Sequence, residues 1–121
     1  MFDISTYDNA VTEEWKIKVI NDIKIPTNKE EMMEIANIAN NKMFKTSIEI
    51  QKAWMNLLNK IYISAKELFK DTNEYLIIKK IYKQSKRKYL LNKYIIIISI
   101  FTSFIIFFAI IMIFAFMAIL D

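Results

Sequence analysis

From Tyr94 to Leu120 the chain has no charged residue, and the run IIIISIFTSFIIFFAIIMIFAFMAIL is apolar on every side of a helix. No other stretch of the 121 residues limits the fold as much. Coiled as an α-helix, these 27 residues reach roughly 40 Å, more than the roughly 30 Å hydrocarbon core of a bilayer. A soluble core would have to surround such a helix completely, and the remaining residues are too few to do it. A signal peptide is excluded by position, because such segments lie at the N-terminus. The expectation is a transmembrane anchor over residues 94–120.

The stretch just before it, KKIYKQSKRKYLLNKY, is dense in cations. Lys79, Lys80, Lys83, Lys86, Arg87, Lys88 and Lys93 have no acid among them, and only Asp121 stands on the far side of the apolar run. The positive-inside rule then predicts a cytoplasmic N-terminal part and a lumenal or extracellular C-terminus. With almost nothing after the span, the pattern is that of a tail-anchored, single-pass protein. The cations face anionic headgroups, at about 1 kcal/mol each near the surface. Tyr89 and Tyr94, apolar rings with polar tips, suit the same interface. Their closeness to the span makes lipid, rather than nucleic acid, the expected partner of these charges. Ser99, Thr102 and Ser103 share one face of the span, and their hydroxyls are expected to bond back to their own helix.

Three absences narrow the chemistry. There is no Gly, Cys or His, and a single Pro. Phosphate-cradling glycine loops cannot be built in their usual form. Zinc centres of the thiolate or imidazole type, thiol chemistry and imidazole acid–base catalysis are excluded. Hairpin turns lack their preferred residues, which favours helices over sheets. The carboxylates are the conventional acid–base groups left, and they are spread along presumed solvent faces, with Glu13-Glu14 and Glu30-Glu31 complementing helix N-termini. The reading is a non-enzyme with no cofactor and no small-molecule substrate.

The expected fold is all-α: a short N-terminal helix, a long coiled-coil-like helix and the transmembrane helix. Residues 1–26 form an amphipathic segment in which Ile4, Tyr7, Val11 and Trp15 recur at helical spacing, closed by Pro26. Thr27 with Glu30 reads as a capping box for the next helix. Residues 27–78 form the coiled-coil-like region and 79–93 the basic juxtamembrane linker. Asp71-Thr72-Asn73 is the weak spot of that long helix, able to divide it into two antiparallel arms. One seam register runs through Phe44, Ile48, Gln51, Met55, Leu58, Tyr62, Ala65, Phe69, Thr72 and Leu76. A second runs through Met43, Ile50, Trp54, Leu57, Ile61, Leu68, Tyr75, Ile78 and Tyr82. Two stripes make a wide apolar face, which suits a multi-helix bundle. Two sources of that bundle stay open: other helical proteins, or the chain folding back on itself as a helical hairpin.

The layout of short N-terminal segment, helical repeat, basic junction and anchor resembles a small SNARE protein, and KKIYKQSKRKYLLNKYIIII is similar to the linker that joins SNARE motifs to their anchors. The resemblance covers roughly residues 28–120. It implies a central polar layer, for which Gln51 between Ile48 and Met55 is the candidate, as in the glutamine class. It further implies zippering with partner helices during vesicle transport and membrane fusion. Asn41, Asn37 and Glu34 depart from the pattern upstream, as do Lys79 or Lys80 at the last layer. The rival readings are a small accessory subunit of a membrane complex and a lesion- or channel-forming phage or viral product.

Overall fold

The computed structural model describes residues 2–120, and every regular element among them is helical. Each helix begins where a short polar side chain can take up the free amides of a first turn. Asp3 accepts from the Ser5 amide at 3.0 Å and opens α1, Ile4–Asp8. Thr12 Oγ1 accepts from Trp15 at 3.1 Å and opens α2, Glu13–Asn21. Asn28 Oδ1 accepts from Glu30 at 2.8 Å and Glu31 at 3.3 Å, opening α3, Lys29–Met43. Ser47 Oγ accepts from Ile50 at 3.4 Å at the head of α4, Ile48–Phe69. Thr72 Oγ1 accepts from Tyr75 at 3.2 Å while its hydroxyl donates to the Phe69 carbonyl at 2.7 Å, closing α4 as α5, Asn73–Leu120, begins.

These caps correct three expectations. The N-terminal segment is two helices instead of one, because Thr12 restarts the chain; Val11 is left 85% exposed and Trp15 48%. The cap of α3 is Asn28 and not Thr27, its amide oxygen reaching two backbone N–H groups at once. Residues 28–93 do not form one continuous helix. They break at Phe44–Ser47 and again at Lys70–Thr72, the second break falling at the foreseen weak spot.

The chain divides into two units, Met1–Tyr89 and Leu90–Asp121. In the first, α4 is the central helix. It packs closely on α3 and α2, and α1 packs on α2. Ala36 and Ala39 on α3 and Ala53 and Ala65 on α4 are buried, small enough for backbones to approach. Trp54, Leu58, Ile61, Met32, Met43 and Ile20 are the largest fully buried apolar side chains near the middle, with Tyr7 meeting Trp54 edge-on at 5.0 Å. The start of α5 completes the bundle by burying Tyr75, Ile78, Ile81 and Ser85, steps of three and four that keep one face inward. It runs parallel to α3: Lys29 pairs with Glu74, Asn40 accepts from Ser85, and Lys88 lies over Phe44.

In the second unit the side chains from Tyr94 to Leu120 are exposed around the whole circumference. The helix that contains them is long and apolar enough to cross a membrane, with a mean hydropathy of 3.0 in its most apolar window.

Candidate functional surface

The seam residues lie inside the chain's own bundle. In the first register Gln51, Met55, Leu58 and Ala65 are buried, Phe44, Ile48, Tyr62 and Phe69 are half-buried, and Leu76 is exposed. In the second, Met43, Ile50, Trp54, Leu57, Ile61, Tyr75 and Ile78 are buried, and Leu68 is exposed. Both stripes of α4 are occupied at once, because α3 and α2 flank it and Tyr62 stacks on Tyr75 and Tyr82 of α5. The chain's own helices therefore cover most of the wide apolar face, leaving Leu68 and Leu76 open.

Gln51 is 6% exposed, and its Nε2 donates to the Thr46 carbonyl at 3.0 Å. That bond ties the α3–α4 turn to the first turn of α4. Thr46 completes the turn, its hydroxyl donating to the Met43 carbonyl at 2.7 Å. Gln51 thus satisfies a carbonyl of the α3–α4 turn.

The basic segment is the outer side of the same helix that buries Ile78, Ile81 and Ser85. Lys80, Lys83, Lys86, Arg87, Lys88 and Lys93 are exposed and Lys79 is half-buried. Residues up to Tyr89 belong to the bundle unit, so most of the segment is bundle surface. Among the described residues the ion pairs are Lys29–Glu74 at 3.6 Å and Lys42–Asp8 at 2.9 Å, and neither involves these cations. The Lys86 ammonium lies over Tyr82 and that of Lys88 over Phe44, at 5.7 and 5.1 Å from the ring centroids, within reach of cation–π attraction.

Where α4 meets α5, the Tyr62 and Tyr82 rings stack at 4.7 Å and 8°. A hydrogen bond from Tyr75 holds the Tyr62 phenol below its ordinary range, helped by Lys66, Lys79 and Lys83, and the same bond raises Tyr75. The three tyrosines make a clasp between the two helices.

Charge is unevenly divided. Residues 1–43 carry eight carboxylates against five lysines, and residues 44–121 carry twelve cations against five carboxylates. A groove of about 510 Å³ around Ile23, Ile25 and Pro26 lies in the acidic part. Sequence reasoning did not find it, because its walls come from α1, the end of α2 and the start of α3. Ile23, Ile25 and Pro26, apolar residues outside any helix, were the available signal.

In the apolar unit, Ser99, Thr102 and Ser103 donate to the Ile95, Ile98 and Ser99 carbonyls at 2.8, 2.8 and 2.9 Å. Their hydroxyls are spent within the helix, as the sequence led us to expect. Among the described residues no group of three or more carboxylates is placed to hold a metal ion. No protein family, curated protein or solved structure matches the chain.

Proposed function

We propose that this is a single-pass membrane protein that tethers a pre-folded helical bundle to the cytoplasmic face of a bilayer and acts as an accessory subunit, docking other proteins through the bundle surface. One observation carries this reading: most of both apolar stripes of α4, from Ile50 to Ala65, is already buried against the chain's own helices. A protein whose task is to zip with partners keeps its seam available, and here the centre of the seam is filled. The exposed cations of α5 support the orientation, since such charges are retained on the cytoplasmic side and drawn to anionic headgroups.

The SNARE-like reading is the second one, favoured by a buried glutamine flanked by apolar seam residues. It requires the bundle to open, exposing Trp54, Leu58 and Ile61 before partner helices take their place. The two readings differ in a simple measurement. Residues 1–93 expressed without the span should be strongly helical by circular dichroism and melt cooperatively as a monomer. Low helicity that rises only on mixing with partner helices would overturn the accessory-subunit reading in favour of the second.

A further inference from the structure

The groove beside Pro26 combines an open apolar floor with an acidic edge. Its floor is made by Phe2, Val19, Ile23, Ile25 and Pro26, each only half-buried, above the buried Ile35. Here side chains from three segments converge and leave about 510 Å³ between them. That volume lies in the range of ligand-binding clefts and accommodates one or two bulky apolar side chains.

Along the edge stand Asp3, Asp22 and Glu31, against the single cation Lys24. None of the three carboxylates takes part in an ion pair among the described residues. Asp3 accepts from Ser5, which holds its carboxyl below the usual range, so it remains ionised at neutral pH. An apolar floor with an excess of negative charge along its rim matches one kind of occupant.

We propose that this groove is a docking site for a basic amphipathic peptide segment of a partner protein, with an apolar side chain seated on Ile23 and Ile25 and flanking lysines or arginines facing Asp22 and Glu31. A second copy of this chain is the rival occupant, since its own Leu90 and Leu91 are exposed beside Lys88 and Lys93, and self-association in the test below separates it. The inference rests on the accessory-subunit reading and names the surface that would serve it.

The test uses the full chain in phosphatidylcholine nanodiscs, titrated with a labelled peptide rich in leucine and lysine at helical spacing. Two control peptides replace either the lysines by glutamate or the leucines by serine. The proposal expects saturable binding of the first peptide alone, with methyl chemical-shift changes centred on Ile23 and Ile25. Neutralising Asp22→Asn and Glu31→Gln should weaken binding roughly threefold each, the scale of exposed charge pairs. Ile25→Ser should weaken it roughly tenfold through lost apolar contact. Equal binding of the serine control would reduce the site to diffuse attraction and overturn the proposal. So would binding unchanged by all three substitutions, or concentration-dependent self-association of the chain that Ile25→Ser abolishes. Circular dichroism of each variant separates loss of the groove from loss of the fold. A chain that inserts and folds as described yet ignores the peptide refutes the groove and leaves the membrane-tethered bundle standing.

Discussion

Residues 73–89 and 95–120 lie in one helix and obey opposite rules. In the first stretch apolar and charged residues alternate with the helical period: Tyr75, Ile78, Ile81 and Ser85 are buried, while Lys80, Lys83, Lys86 and Arg87 are exposed. In the second, no position carries a charge and no side chain is covered. The first stretch uses its own chain as the apolar solvent for one face. The second leaves every face uncovered, over a length and hydropathy that suffice to cross a membrane. Patterning, more than total hydrophobicity, separates a helix that completes a domain from one that leaves it.

Substitutions should act on one stretch and spare the other. The largest effect belongs to the bundle. Trp54→Ala empties the most voluminous buried side chain and should cost about 3–5 kcal/mol of stability, read from a chemical melt of residues 1–93, without changing membrane extraction of the full chain. Next, Phe107→Lys puts a charge near the middle of the apolar run. It should cost about 2.5–3.5 kcal/mol of insertion, measured by glycosylation mapping, and leave the amide-exchange protection of α4 in the detergent-solubilised full chain as it was. If either variant damaged both readouts equally, the two stretches would not be independent.

Smaller changes sharpen the description of the bundle. Ser47→Ala removes the cap of α4 and should destabilise by about 1 kcal/mol. Tyr7→Phe should be neutral or stabilising by up to about 1 kcal/mol, since the buried Tyr7 hydroxyl has no hydrogen-bond partner among the described residues. The smallest effect concerns pH. The Asp3 carboxyl is lowered by its bonds from Ser5, so its contribution is present above the ordinary aspartate range and lost as pH falls through its depressed value. Amide exchange in α1 should quicken there, and Asp3→Asn should remove that pH dependence.

The membrane-length run was legible because its signal needs no period: absence of charge over enough residues is sufficient. The two stripes of α4 were legible too, and their central residues, from Ile50 to Ala65, are largely buried. What a single sequence could not reveal was whose helices would cover them. The break at Phe44–Ser47 was hidden because Phe44, Ile48 and Gln51 continue the seam spacing straight through it. Only Thr46-Ser47, a hydroxyl pair before Glu49, marked the new helix start. Asp71-Thr72-Asn73 was visible because all three residues prefer caps, and Thr72 does act as one. The Asn40–Ser85 bond was out of reach, since it joins residues 45 positions apart in the chain.

The claim on which the account depends is that residues 28–89 fold back on themselves. The chain has no cysteine, so an introduced pair reports on one distance only. Asn40→Cys with Ser85→Cys replaces two side chains that lie 2.9 Å apart between their oxygen atoms. In one uninterrupted helix the same positions would stand roughly 70 Å apart. Mild oxidation of the full chain in nanodiscs should give a rapid disulfide within single molecules. Free thiols, or crosslinks only between molecules, would contradict the fold and every functional reading drawn from it.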